Sequence, residues 1–262
     1  MGSATGFPSD SLRAAWADDR PALGGWSMLG DPHAAEVTCR AGYDWLGLDM
    51  QHGLISDDRL PDVLRAAALT RAPVLVRTAW NDPAAIMRAL DSGACGVIVP
   101  MVSSGEEAAR AVRACRYPPL GERSWGPTRA ALGIPAYSAA AANAATLCFA
   151  MIESREGFEN LDEIASTPAL DGLFVGPMDL ALSHGETLSP TAPDPAQRAR
   201  IARIAEVCAT RGLVAGIYCG GAALAGEWAR IGFRLLAVDA DVTLLARALA
   251  AELEAARAAL PR

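Results

Sequence analysis

VLVRTAWNDPAAIMRALDSGACGVIVPMV, residues 74–102, reads as one complete strand–helix–strand unit. The run 73–80 is apolar almost throughout, and Asp82-Pro83 pairs a capping side chain with a residue suited to a first helical turn. Segment 82–92 then places apolar residues at helical spacing, Gly93 stands where that helix should stop, and a second apolar run covers 95–102. Continuous apolar runs suit strands covered on both faces. An amphipathic segment between two of them suits the crossover helix of a parallel pair.

Working outward, the same alternation fills the chain. Apolar runs at 22–29, 43–50, 73–80, 95–102, 146–153, 171–178, 213–219 and 234–240 alternate with amphipathic segments at 31–41, 57–70, 82–92, 105–116, 156–166, 195–211, 221–231 and 242–259. Helix starts are expected at Asp31-Pro32, Asp57-Asp58 and Asp194-Pro195, and stops at Gly42, Gly212 and Gly232. Eight strands and eight helices predict an α/β fold, a single (β/α)8 barrel over residues 21–262, after a lead-in at 1–20. Residues 1–10 are expected to be poorly ordered. The rhythm breaks once, between Arg116 and Thr146, where YPPLGERSWGPTRAALGIPAYS is too long and too rich in Pro and Gly for a routine connection. Such a loop is expected to serve as a lid or a subunit contact.

Bulk properties narrow the function. A net charge of −7 argues against a nucleic-acid partner, and no long uninterrupted apolar run predicts a membrane span. The start, MGSATGFPSDSLR, does not resemble a secretion signal. Six cysteines at 39, 95, 115, 148, 208 and 219 form no CxxC pair, which suits small core residues in a reducing cytoplasm rather than structural zinc.

Four of the strand-like runs finish in polar groups: Asp49 and His52, Arg77, Glu153, and Asp179. In a parallel barrel these converge on the C-terminal mouth, where such barrels do chemistry. Glu153 and Asp179 suit one hard divalent cation with positions left open for water and substrate. The other reading, that each acid caps a helix or pairs with an arginine, is not separated by spacing alone. Gly176-Pro177-Met178-Asp179 reads as a tight turn whose Met178 and Asp179 N–H groups suit a small anion, or as a turn with no ligand. His52 reads either as a base, with Asp49 three residues earlier holding one ring nitrogen and leaving the other free, or as a histidine that is merely satisfied at the surface or in the core. Arg77 in an apolar strand requires an anion: a substrate carboxylate or enolate oxygen, or an acid on a neighbouring strand. Arg123, in the long loop, is a candidate for a contact at the mouth. Trp26, at the end of the first run, is a candidate pocket wall.

Taken in order, WSMLGDP, DWLGLDMQHG, the 74–102 stretch, RYPPLGERSWGP, MIESREGFENLDEIA and LFVGPMDLAL resemble the class II pyruvate aldolases of the hydroxy-oxo-heptanedioate aldolase (HpcH/HpaI) family, over about Trp26 to Asp241. The resemblance implies a barrel of the phosphoenolpyruvate/pyruvate-domain type. Its last helix would be exchanged between neighbouring subunits of a homohexamer, a trimer of dimers. It further implies catalysis with a divalent metal (Mg²⁺, Mn²⁺ or Co²⁺), no organic cofactor, and pyruvate as donor. Carried over, Glu153 and Asp179 are the metal ligands, and Arg77 contacts pyruvate and its enolate oxygen. His52, held by Asp49, is the acid/base, and the Met178 and Asp179 backbone holds the pyruvate carboxylate beside Gly176. Two departures stand out. Met151 replaces a Gln frequent in relatives, and it shares the inward face with Glu153. Gln51 stands where some relatives have Glu.

The expected reaction is reversible cleavage of a 4-hydroxy-2-oxo acid to pyruvate and an aldehyde. The chain contains no lysine, so a Schiff-base route has no side-chain amine. Two rivals are an oxaloacetate decarboxylase or CoA-thioester lyase using the same enolate, and a non-catalytic metabolite-binding barrel.

Overall fold

A computed structural model describes residues 6–189 and 191–261. Eight strands, β1 (Ala22–Ser27), β2 (Trp45–Asp49), β3 (Val74–Arg77), β4 (Gly96–Val99), β5 (Leu147–Ile152), β6 (Gly172–Val175), β7 (Val214–Tyr218) and β8 (Leu235–Ala240), pair in parallel and in sequence order into a closed barrel. Each of the eight predicted runs contains one of them. Crossovers are made by α2 (Pro32–Arg40), α3 (Leu60–Ala68), α4 (Pro83–Asp91), α5 (Gly105–Cys115), the broken pair α7 (Arg155–Glu159) and α8 (Leu161–Ile164), α10 (Pro195–Arg211) and α11 (Ala222–Arg230). Three further helices precede or interrupt that series: α1 (Asp10–Ala17), α6 (Ala139–Ala145) and α9 (Pro177–Ser183). Helix α12 (Asp241–Ala259) ends the fold.

The local signals act where the sequence places them. Asp31, Asp82 and Asp194 each accept a hydrogen bond from a first-turn N–H, of Ala34, Ala84 and Gln197. Asp57-Asp58 does not cap: α3 starts at Leu60, and the Asp58 carboxylate turns back to accept from Ser56 Oγ at 2.5 Å.

The core has two shells, separated by strand parity. On β5, Cys148, Ala150 and Ile152 face the helices, while Leu147, Phe149 and Met151 fill the barrel interior. The same alternation aims the last residue of a strand, or the one just after it, into the mouth. Asp49 follows the parity of Trp45, Arg77 that of Leu75, and Glu153 that of Met151.

The opposite, N-terminal end is closed by α1, whose Leu12 and Ala15 are buried. Trp16 packs edge-on against Phe149, and its indole N–H donates to the Arg234 carbonyl at 3.0 Å. Ser9 is buried and its hydroxyl donates to the Ala145 carbonyl at 2.8 Å. Ser9 and Asp10, the start of α1, are therefore tied down, contrary to the expectation for that part of 1–10. Residues 1–5 of that expectation lie outside the described residues.

The long 116–146 segment is not a lid over the mouth of its own barrel. It connects α5 to β5, so it lies at the N-terminal end, where the Arg129 N–H donates to the Asp91 carbonyl at 3.2 Å. No helix among the described residues is long and apolar enough to cross a membrane. All six cysteines are buried and free.

Candidate active site

Asp49 and Arg77 are direct neighbours in the β2–β3 register. Asp49 is fully buried, and a lone carboxylate there would cost several kcal/mol (about 3–5). Arg77 meets it with a two-pronged contact, Nε donating to Oδ1 at 2.9 Å and Nη2 donating to Oδ2. Trp26 Nε1 donates to Oδ2 at 3.2 Å, and the N–H groups of Gln51 and His52 donate to Oδ1 at 3.0 and 3.1 Å. Burial pushes the Asp49 pKa up, but the Arg77 bond and charge and the two backbone N–H groups outweigh it, so it lies below the ordinary carboxylate value.

This corrects the expected Asp49–His52 dyad. The Asp49 carboxylate grips the His52 backbone, not its ring. The ring is exposed and makes no hydrogen bond among the described residues. A buried acid takes the guanidinium that its strand neighbour offers first. Asp49 therefore shapes the turn that carries His52 and leaves the imidazole free.

Trp26 is 3% exposed and forms a floor rather than a wall. Its ring stacks on Phe174 with centroids 5.8 Å apart, and the Arg77 Cζ lies 5.3 Å from its centroid. Met151 faces inward as expected, its Sδ 3.9 Å from Arg77 Nη1. That edge of the guanidinium meets no acid among the described residues. Gln51 turns its side chain inward, with a buried Oε1 that has no partner among them either.

Glu153, across the mouth, is 2% exposed. Its Oε1 accepts the Met101 N–H at 2.7 Å, from a residue with φ of 56°, while its buried Oε2 has no partner among the described residues. Burial pushes its pKa up to about 7. The Met101 N–H and the Arg77 charge pull the other way, and the charges of Asp179 and Asp49 add to the rise. Asp179 sits half-buried in the first turn of α9. Gly176 precedes α9 because nothing larger fits: a Cβ there would lie 2.4 Å from Glu153 Oε2. A buried orphan oxygen, a second carboxylate close enough to disturb it, and a backbone stripped of side chain fit a hard divalent cation. Among the described residues no group of three or more His, Cys, Asp or Glu is poised to bind metal.

Arg123 is not at the mouth. It is 3% exposed at the other end of the barrel, where Nη2 bonds Asp91 Oδ1 at 2.6 Å and its Cζ lies 4.5 Å from the Tyr117 ring centroid. Sequence reasoning missed a cluster that is there. Tyr218, the last residue of β7, donates its hydroxyl to Asp239 Oδ1 at 3.2 Å, and Arg247 Nη2 bonds Asp239 Oδ2 at 3.2 Å. Tyr218 also meets Trp26 edge-on. Asp239 ends an apolar run as Asp49 does, so the signal was present. The Met101 N–H left no mark, because it depends on a left-handed backbone at a non-glycine residue.

The model of the family described as HpcH/HpaI aldolase/citrate lyase matches residues 23–248. A hydroxypyruvate/pyruvate aldolase of Rhizorhabdus wittichii is 37% identical over 91% of this chain and 95% of its own. A 4-hydroxy-2-oxo-heptane-1,7-dioate aldolase of Escherichia coli is 36% identical over 95% and 94%. The crystal structure of an HpcH/HpaI aldolase/citrate lyase family protein from Burkholderia cenocepacia superposes with a TM-score of 0.87, at 35% identity over 94% of this chain and 99% of that one. Matched along nearly its whole barrel by sequence and by fold, the chain belongs to the HpcH/HpaI aldolase/citrate lyase family and is a carbon–carbon lyase.

Proposed function

We propose that this lyase cleaves 4-hydroxy-2-oxo acids to pyruvate and an aldehyde, and runs the reverse addition, with Glu153 and Asp179 holding a divalent cation. The observation that carries the reading is the buried Glu153 Oε2, unpartnered among the described residues and near the Asp179 charge, together with an Arg77 Nη1 that meets no acid among them. The names of the two aldolase relatives support the substrate class. Mg²⁺, Mn²⁺ or Co²⁺ bound there would supply Lewis acidity to the 2-oxo group.

The chain's own groups do the rest. Met178 and Asp179 are the second and third residues of α9, whose first-turn N–H groups lack partners within the helix, so they suit the substrate carboxylate beside Gly176. Arg77 Nη1 stabilises negative charge as it develops on the 2-oxo oxygen during C3–C4 cleavage. Its fork on Asp49 prevents it from swinging away. His52 accepts the 4-hydroxyl proton and, after cleavage, returns a proton to C3 of the enolate to form the pyruvate methyl. In the reverse direction it removes a proton from the pyruvate methyl. Trp26 and Met151 supply a floor that offers no competing charge. With no lysine in the chain, no imine shares the work.

The same family reading extends to assembly. No residue of α12 is buried, and Leu245, Leu249 and Leu253 are 50, 61 and 52% exposed at four-residue spacing. A second copy covering that stripe, by exchange of α12 within a hexamer, gives it a partner.

Proton NMR of pyruvate in D₂O tests the chemistry without a guess about the aldehyde. Chelator-stripped protein should leave the methyl signal intact, and Mg²⁺ or Mn²⁺ should cause it to fade. His52→Ala and Glu153→Gln should both abolish the fading. Folded protein that exchanges no methyl proton with any of the metals would refute pyruvate as donor.

A further inference from the structure

The barrel carries a second concavity, at the end opposite the mouth. A cavity of about 570 Å³ opens beneath β3, β4 and β5, bounded by Val74, Cys95 and Thr146 near the starts of those strands. Residues 6–9 form one rim and the 129–137 part of the long loop another. Its volume suits a small organic molecule.

The charge of its lining runs against the rest of the protein. The chain's net charge is −7, yet Arg71, Arg123 and Arg129 line this cavity and none of its lining among the described residues is acidic. Arg129 has no carboxylate partner among the described residues. Its Nη1 and Nη2 donate only to the carbonyls of Ser92 and Leu64, at 3.0 and 3.2 Å. Arg71 has no ion pair among them and holds a left-handed φ of 60°, a conformation that costs an arginine and that a glycine would take freely. Arg123 spends Nη2 on Asp91, but its buried Nε has no partner among the described residues.

The Arg129 guanidinium lies over a glycine at the end of α4. Gly93 has a φ of 105°, and a Cβ at that position would lie 2.1 Å from Arg129 Nη1. Leu64, Leu90, Ile134 and Phe7 supply apolar wall beside the guanidinium groups. Arginine forks beside an apolar wall are complementary to an anionic head joined to an apolar body.

We infer that this N-terminal cavity binds a small amphipathic organic anion, one carboxylate or phosphate head on an apolar tail, at a site separate from the mouth. Calorimetric titration of the full chain with hexanoate, hexyl phosphate and inorganic phosphate tests it. At least one hexyl compound should bind saturably and at least about tenfold tighter than inorganic phosphate, and the tighter of the two identifies the head. Arg71→Glu, on an exposed residue that leaves the fold readable, and Arg129→Gln should each weaken that binding at least about tenfold. Glu153→Gln, at the mouth, should leave it unchanged. The inference is overturned by absence of saturable binding, by equal binding of tailless phosphate, by indifference to both arginine variants, or by loss of binding in Glu153→Gln.

Discussion

Glu153 and Asp49 are both buried carboxylates at one mouth, and their environments push them in opposite directions. Asp49 has Arg77 on two prongs and lies below the ordinary value; Glu153 has one N–H on one oxygen and rises to about 7. For Glu153 the folded pKa exceeds the unfolded one, so folding takes up protons between about pH 4.5 and 7. Chelator-stripped protein should therefore lose stability as pH rises through that window, and Glu153→Gln should flatten the loss in urea melts at pH 5, 6, 7 and 8. An unchanged slope would show that Glu153 is not strained when empty-handed. A second contrast separates positioning from chemistry. Asp49→Ala should destabilise the fold by about 3–5 kcal/mol, since Arg77 is left buried and unpaired. His52→Ala, on an exposed ring, should change stability by no more than about 0.5 kcal/mol while abolishing pyruvate methyl exchange. The strand-end groups were legible in the sequence because parity and burial follow from the runs themselves. The Asp49–Arg77 pairing was left open because one strand's sequence does not carry its lateral register against the next.

Among the elements, α9 carries a constraint tied to the site. It starts on a glycine whose missing side chain makes room for Glu153 Oε2. Gly176→Ala should fold with the wild-type circular dichroism spectrum and fail to bind Mn²⁺, measured by water-proton relaxation. Wild-type Mn²⁺ affinity in that variant would show that the space beside Oε2 is not needed. The strands and main crossover helices could be read because each carries a continuous apolar run or a long periodic one. Helix α1 could not, since eight residues with only Leu12 and Ala15 buried barely raise a period. The alanine-rich α6, inside the long segment, has no contrast between faces to read. That segment's location is readable in principle, and it rules out a lid over the chain's own mouth while leaving the subunit contact open. A connection from helix to strand returns the chain to the strands' N-terminal ends, away from the mouth, whatever its length.

At the scale of the whole molecule, eight alternations predicted the barrel, but nothing in one chain's periodicity says what covers α12. Its leucine stripe, Leu245, Leu249 and Leu253, is exposed in the single chain. Leu245→Glu with Leu249→Glu should reduce the mass seen by light scattering to that of a smaller assembly, with helix content retained. An unchanged mass would remove α12 from the interface.

The placement of the long connection at the barrel's far end also divides the machinery. The part before it carries the proposed base, the guanidinium and the amide that grips Glu153; the part after it carries both carboxylates proposed for the cation. A chain cut at the exposed turn around Gly133 would yield two fragments with complementary deficits, one unable to bind the cation and the other unable to move a proton. Turnover that appears only when the two are mixed would show that the site is a seam between halves.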